Sequence, residues 1–163
     1  MVRLPLVSRV SSVMDIDADM QQWEQSVPDA IRSDVLWKST AYRLATYLAD
    51  IAWVDITALA ADPRTVSMAD QLARAVNSIG AHYSEGYGRG TDRDRCRVYE
   101  YALGEAREAR NWAYKARHVI GPERANQLIS ITTRIVQLLT VTVVRERKRD
   151  SRFGEFGPRR RAT

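Results

Sequence analysis

Apolar residues recur at intervals of three and four along most of the chain, which is the period of an amphipathic α-helix. The first such stripe begins after Asp34, an N-cap candidate, and continues to Ala58. It ends at Asp62 and Pro63, because the residue before a proline is pushed out of the helical conformation. Its first members are Trp37, Ala41, Leu44, Leu48 and Ile51. The spacing therefore predicts a first long helix.

Three more apolar stripes follow, separated by short breaks. The second begins at a Ser67 cap and ends in the glycine-rich sequence 86–90, whose alternate glycines can adopt positive φ and close a helix. The third begins at Thr91 or Asp92 and ends at Gly121, and Pro122 opens the fourth. The second stripe comprises Leu72, Val76, Ile79 and Tyr83. The third comprises Cys96, Tyr99, Leu103, Ala106, Ala113 and Ile120, and the fourth comprises Leu128, Ile131, Ile135, Leu138 and Thr142.

Four helices of about 25 residues joined by short connections pack antiparallel in sequence order, so the predicted fold is all-α, an antiparallel up-down four-helix bundle with N- and C-terminal extensions. The N-terminal extension covers residues 1–33, with one short helix near Asp17 to Ser26. The bundle covers residues 34–147, and a basic tail covers residues 148–163. Gly80 and Gly104 lie inside helices, which predicts close approach of neighbouring backbones there.

Cysteine content and apolar run lengths predict a cytoplasmic protein with no membrane segment. Cys96 is the single cysteine in the sequence and has no internal disulfide partner. The late apolar stretch from Ile135 to Val144 covers about 15 Å as a helix, half of what a bilayer requires. The N-terminus lacks the run of roughly 7 to 15 apolar residues that a signal peptide needs.

Charge is distributed unevenly along the chain. Residues 1–62 carry a net charge of −4 and residues 63–144 a net charge of +4, so the overall +5 equals the charge of residues 145–163. Of the 25 cationic residues, 22 are arginine, whose planar fork matches phosphate oxygens bidentately. A phosphate-containing partner explains this composition, and so does a GC-rich genome, which raises arginine usage in all its proteins.

Two groups of cations are candidates for binding nucleic acid. The start of the third helix could hold a phosphate through its free amides or could be a solvated face with local Asp–Arg pairs. The tail is an arm for a polyanion or a solubilising segment. The candidate nucleic-acid-binding residues are Arg89, Arg93, Arg97, Arg107, Arg110, Arg117, Arg145, Arg147, Lys148, Arg149, Arg159, Arg160 and Arg161.

The patterns of metal and nucleotide chemistry are missing from the sequence. His82 and His118 do not belong to Glu-x-x-His pairs, and Cys96 lies on an apolar stripe as a packing residue. The glycine-rich sequence 86–90 follows a helix rather than a strand and lacks the Gly-Lys-Ser/Thr ending of a phosphate loop. We therefore predict no catalytic residue, no cofactor and no metal.

The residues Glu85, Gly86, Gly88 and Arg89 are interpreted instead as a structural turn. Glu85 is expected to pair with Arg74 or Arg89 and to hold the connection into the third helix. The pair is expected to be partly buried, so that its loss would lower the melting temperature by a few degrees.

Three segments of the sequence form a distinctive set of motifs: Gln71 to Ile79 in the second helix, Ser84 to Arg89 at its end, and Tyr101 to Ala106 in the third helix. Together they resemble the four-helix-bundle proteins encoded in intervening sequences of bacterial 23S rRNA genes. The resemblance spans residues 34–144. It departs from the family pattern before Glu85, where members usually have Pro-x-Asn-Ile-Ala and this chain has Gly-Ala-His-Tyr-Ser.

This family is similar in turn to the accessory variability proteins of diversity-generating retroelements, which are five-membered rings that bind nucleic acid and a reverse transcriptase. The resemblance thus implies a homopentamer that binds nucleic acid, with RNA as the expected ligand, and that performs no catalysis. It also implies an alternative, in which the chain is an interaction scaffold or accessory subunit that docks a reverse transcriptase.

Overall fold

The computed structural model describes the backbone of residues 15–156 and the side chains of residues 15–150. Within this range every regular element is helical. The elements in chain order are α1 (Ile16–Glu24), α2 (Asp29–Arg32), a 3-10 turn (Val35–Lys38), α3 (Thr40–Ala61), α4 (Val66–Tyr87), α5 (Asp92–Ile120) and α6 (Pro122–Phe156). Helices α3 to α6 pack side by side, which confirms the predicted all-α four-helix bundle.

The core lies between these four helices. Its largest fully buried side chains come from α3, α4 and α6: Leu44, Leu48, Leu59, Leu72, Val76, Ile79, Leu128, Ile131, Thr132, Ile135 and Leu139. Helix α5 contributes mainly small residues, since Ala102, Ala106, Ala109, Ala113 and Ala116 are all at most 1% exposed. In α6 the buried stripe continues through Leu139 and Val143 rather than the predicted Leu138 and Thr142.

The described part of the N-terminal extension, residues 15–33, contributes to this core. The predicted short helix is present as α1, which buries Met20. Trp23 packs its ring 5.2 Å from Tyr47 and 6.0 Å from Trp37, and its Nε1 donates a hydrogen bond of 2.6 Å to Asp50. Aromatic contact and this hydrogen bond therefore hold α1 against α3.

Two of the predicted helix starts are displaced. Asp34 caps the 3-10 turn by accepting from the Leu36 amide, and Ser39, in extended conformation, caps α3 by accepting from the Tyr42 amide. Helix α4 begins at Val66 rather than after Ser67, and no side chain caps it. The predicted cap at Thr91 is confirmed, since its side chain accepts from the Asp94 amide at 3.1 Å.

The glycines have other roles than those predicted. Among the described residues only Gly121, between α5 and α6, has positive φ, at 85°. Gly86 lies in helical conformation, and a Cβ there would stand 2.7 Å from the Tyr99 ring. The close approach expected at Gly104 is wrong, because a Cβ there would meet nothing within 4 Å, while at Gly80 it would make an ordinary 3.9 Å contact with Ala45.

Helix α6 extends beyond the predicted end of the bundle. The predicted bundle ends at residue 147, whereas the helix continues without a break to Phe156. Near the predicted boundary, Glu146 is 5% exposed and pairs with Arg95 of α5. The first part of the charged segment is thus packed bundle helix, whereas residues 157–163 lie outside the described range.

The opposite end of the bundle holds a buried ion pair. Asp55 of α3 is 5% exposed and accepts two hydrogen bonds from Arg124 Nε, at 3.1 and 2.9 Å. Arg124 also donates to the Ile51 carbonyl at 2.6 Å. Both carboxylate oxygens of Asp55 thus accept a hydrogen bond. Since Asp55 lies in the second half of α3 and Arg124 in the first turn of α6, the pair joins these two helices.

Two helices are long and apolar enough to cross a membrane by length and composition alone, Thr40–Ala61 and Pro122–Asp150. Both include the buried leucines of the core, and Asp55 and Arg124 join one to the other. The length predicted from the sequence referred only to the apolar stretch Ile135 to Val144 within α6. The absence of a membrane segment stays a prediction.

The environment of Gly86 predicts opposite effects of alanine at two glycines. Gly86→Ala is expected to destabilise the fold by about 1 to 3 kcal/mol, because the new methyl group displaces the buried Tyr99 ring. Gly104→Ala is the matched control, since it adds a methyl group in open space and should stabilise α5 by about 0.5 to 1 kcal/mol. Thermal unfolding of both variants measures the difference, and equal melting temperatures would contradict this packing.

Candidate nucleic-acid interface

One end of the bundle brings together residues that are distant in sequence. Because consecutive helices run antiparallel, the start of α3, the end of α4, the start of α5 and the second half of α6 meet there. The Ser39 hydroxyl donates to the Tyr83 hydroxyl at 2.8 Å, and Arg147 Nε donates to Glu100 at 3.0 Å. We call residues 85–100 and 141–150 at this end the basic end.

The basic end unites most of the predicted nucleic-acid-binding residues. It contains eight cationic and six acidic side chains, a net charge of +2. Seven of the predicted residues lie here, contributed by the α4–α5 connection, the start of α5 and the charged half of α6: Arg89, Arg93, Arg97, Arg145, Arg147, Lys148 and Arg149. The structure thus joins the two groups of cations that the sequence showed separately.

Most of these cations have a carboxylate partner nearby. The pairs are Arg89 with Glu85, Arg97 with Asp94 at 3.7 Å, Arg147 with Glu100, and Arg149 with Glu146 at 3.1 Å. Arg93 and Arg145 are exposed and form no ion pair with any residue of the described range. Since a paired arginine must exchange its carboxylate for a phosphate, these two are the most available phosphate ligands.

A buried charge network supports the basic end from below. Arg95 Nη1 lies 3.0 Å from Asp92 and 3.4 Å from the buried Glu146, and its Nη2 donates to the Arg89 carbonyl at 3.0 Å. The network therefore ties the α4–α5 connection to α6. The sequence placed Arg95 only among the cations at the start of the third helix and did not predict its pairing with Glu146, although an acidic residue inside the run Arg145 to Arg149 is the signal that could have found this partner.

Tyrosines line the hollow above this network. Tyr83 and Tyr99 are buried and stack with ring centroids 5.0 Å apart, and burial raises the pKa of Tyr99. Tyr87, the last residue of α4, is 47% exposed. The hollow has a volume of about 410 Å³, and its cationic lining residues are Arg95, Arg145 and Arg149.

The remaining predicted cations lie elsewhere. Arg107, Arg110 and Arg117 are further along α5, from about 15 to 30 Å beyond Arg97 at the rise of an α-helix. Arg117 lies over the Tyr114 ring at 4.0 Å and donates to the Tyr114 carbonyl at 2.8 Å. Arg159, Arg160 and Arg161 are outside the described residues.

The predicted turn pair forms, but on the surface. Glu85 pairs with Arg89, whereas Arg74 pairs with Glu108 at 2.8 Å. The Glu85 and Arg89 side chains are 46% and 43% exposed, so the expectation of a partly buried pair is wrong. The hydrogen bond from Arg89 lowers the pKa of Glu85, and His82, with its Nδ1 3.6 Å away, adds to this effect.

Cys96 and His82 both contact residues of neighbouring helices. Cys96 is buried, as predicted, and burial raises the pKa of its thiol. The His82 ring lies 5.8 Å from the Tyr101 ring on the surface between α4 and α5. Among residues 15–150 no group of three His, Cys, Asp or Glu side chains is arranged to hold a metal ion.

The bundle matches a known family over most of its length. The profile of the 23S rRNA-intervening sequence protein family matches residues 38–141, from the 3-10 turn to the second half of α6. This chain belongs to that family. The family assignment made from the sequence motifs is therefore confirmed, and the match includes Arg89, Arg93 and Arg97 but ends before Arg145.

A solved structure agrees with the fold of this family member. The crystal structure of a protein of unknown function from the S23 ribosomal protein family of Bacteroides thetaiotaomicron superposes with a TM-score of 0.60 at 22% identity. The match covers 64% of this chain and 98% of that chain. No curated protein sequence is significantly similar to the chain. The comparisons thus establish the family and the fold.

The lowered pKa of Glu85 predicts a pH-dependent contribution to stability. Its unfolded pKa is near 4.5 and its folded pKa is lower, so the stabilisation is complete above pH 4.5 and is lost as the pH falls through the folded value. Glu85→Gln should therefore melt slightly below the parent protein at pH 7, and the two should converge in acid. Thermal unfolding from pH 3 to pH 7 tests this. Equal melting temperatures at pH 7 would show that the pair contributes nothing.

Proposed function

We propose that this family member is a non-enzymatic homopentamer that binds nucleic acid, with RNA as its ligand, through phosphate contacts at the basic end. The observation that carries the proposal is the convergence of seven predicted phosphate ligands from two separate segments of sequence. Membership in a family named for the 23S rRNA intervening sequences supports a task connected with nucleic acid. Phosphate contacts provide affinity without base specificity, so we expect binding that is strongly salt-dependent.

Arg145 is the central residue of this proposal. It is exposed, has no ion pair within the described range, and lines three adjoining hollows at the basic end. The net charge of +2 per chain is small, and a ring of five copies would multiply it along one ligand. Affinity is thus expected to come from several chains acting on the same strand.

The proposal predicts that Arg145 contributes far more to binding than Arg107, which is exposed as well. Arg145→Gln should weaken binding of a labelled single-stranded RNA and reduce the slope of log affinity against log salt by about 0.7 for each phosphate that is no longer neutralised. Arg107→Gln is the matched control, because Arg107 is also exposed and without an ion pair in the described range but lies further along α5. Fluorescence anisotropy across a salt series measures both.

The two variants distinguish a local interface from general charge. If Arg107→Gln weakens binding as much as Arg145→Gln, the interface is not confined to the basic end. If neither variant changes affinity or slope, the basic end is not the site. A parent protein that binds no RNA at low salt would overturn the proposed function itself.

The homopentamer is supported by the distribution of charge and by exposed apolar residues. Residues 1–62 carry −4 and residues 63–144 carry +4, so unlike flanks of neighbouring copies attract, and head-to-tail contacts of this kind close into rings. On the acidic flank, Trp53 and Val54 of α3 are 71% and 70% exposed. Side chains of this kind are expected at an interface between copies.

The assembly is predicted to have a mass of about five times 18.5 kDa by multi-angle light scattering. Trp53→Glu should reduce that mass, because it places a charge in the apolar contact and adds to the negative flank. The circular dichroism of the variant should stay helical, since Trp53 contributes little to the core. A clean monomer of the parent protein at micromolar concentration would contradict the ring.

The second candidate function is a scaffold that docks a protein, a reverse transcriptase in the case implied by the resemblance. The observation that favours it is a set of exposed valines: Val141 and Val144 within the basic end, at 60% and 43% exposure, and Val35 beside it, at 47%. The Arg145 comparison separates the two functions, because a protein-docking surface by itself gives no affinity for RNA.

A further inference from the structure

We propose that the basic end recognises single-stranded nucleic acid by stacking an unpaired base on Tyr87 while Arg145 holds a neighbouring phosphate. This inference rests on the proposed function and deepens it, because it names the strandedness of the ligand and the residue that selects it. It is based on the geometry of two hollows at the basic end.

Two hollows adjoin at the basic end, and the same residues line both. One has a volume of about 410 Å³ and extends towards α5, and the other has about 480 Å³ and extends towards the start of α3. Tyr83, Tyr87, Thr142 and Arg145 line each of them. Volumes of this size are within the range of sites for small organic ligands, which is about 300 to 1,000 Å³. Each hollow therefore has room for a base.

Tyr87 is the aromatic ring that is available to such a base. Tyr83 and Tyr99 are 9% and 3% exposed and stack on each other, so their faces are occupied. The Tyr83 hydroxyl also accepts the hydrogen bond from Ser39. Tyr87 is 47% exposed, and its ring stacks on no other ring in the described part of the chain. A free aromatic face is what base stacking requires.

The charges around Tyr87 suit a nucleotide. The 410 Å³ hollow has three cationic lining residues, Arg95, Arg145 and Arg149, and one acidic residue, Glu146. Glu146 is already neutralised by Arg95 and Arg149, at 3.4 and 3.1 Å. Arg145, with no ion pair in the described range, is thus the cation that can accept a phosphate beside the ring.

This arrangement discriminates between single strands and duplexes. The bases of a duplex are stacked on each other and paired, so a duplex can present only phosphates to the basic end. A single strand can place an unstacked base against Tyr87 and gain stacking energy in addition to its phosphate contacts. Preference for single strands therefore depends on Tyr87, whereas the phosphate contribution is common to both ligands.

The test compares two tyrosines and two RNAs. The probes are a labelled oligoadenylate of about 15 nucleotides and a labelled RNA duplex of similar length. Tyr87→Ala should weaken binding of the oligoadenylate about tenfold and leave duplex binding unchanged. Tyr114→Ala is the matched control, because Tyr114 is 54% exposed and lies near the other end of α5. It should bind both probes like the parent protein.

A third variant separates stacking from a structural effect at the end of α4. Tyr87→Trp should keep or increase affinity for the oligoadenylate, since a larger ring stacks at least as well. Thermal unfolding of all variants accompanies the binding curves. If Tyr87→Ala melts at a lower temperature, the tryptophan variant distinguishes lost stacking from lost structure, because it preserves an aromatic ring at this position.

Three results would overturn the inference. In the first, Tyr87→Ala binds the oligoadenylate as well as the parent protein does. In the second, it weakens both probes equally, so that the tyrosine does not select single strands. In the third, Tyr87→Trp loses affinity although it is folded. With any of these, an Arg145→Gln defect would leave the proposed function standing, whereas a parent protein that binds neither probe would remove both.

Discussion

The buried pair between Arg95 and Glu146 is the interaction on which the basic end depends. Glu146 is 5% exposed, and a carboxylate at that depth is tolerated only with a cationic partner in hydrogen-bonding geometry. Arg95 meets this requirement and also donates to the Arg89 carbonyl, so one guanidinium joins α5, α6 and the preceding connection. Without Arg95, Glu146 keeps only the exposed Arg149 as an ion-pair partner in the described range, and without Glu146, Arg95 keeps only Asp92. The pair thus fixes where the cations of α6 stand relative to those of α5.

Packing around Gly86 sets the second constraint at the same end. The Tyr99 ring lies against the helix backbone where a Cβ would be 2.7 Å away, and Tyr83 stacks on that ring at 5.0 Å. These rings fill the space beneath the surface, whereas Tyr87, the residue after Gly86, stays exposed. The buried Asp55 and Arg124 pair performs the corresponding task at the far end of the bundle. Each end is thus held by one buried ion pair between α6 and another helix.

The charge of the basic end is less than its cations suggest. Of its eight cations, most have carboxylate partners within 4 Å, and the net value is +2. An ion-paired arginine on the surface is largely screened, so counting arginines overstates the field that an approaching polyanion meets. Truncation at residue 144 would not isolate the charged segment, because it also removes the buried Glu146.

The sequence by itself determined the fold class, the four helices and the family, because helical periodicity, proline and glycine breaks and short motifs are local properties. It also located α1 and the Thr91 cap. Only the tertiary structure decided that α6 continues past residue 147, that Gly86 is required by the Tyr99 ring, and that the cations of α5 and α6 share one end. The physical reason is that burial and ion pairing depend on neighbours from other helices. Glu146 lies among cations in the sequence, and its burial against Arg95 is decided by a helix 51 positions away.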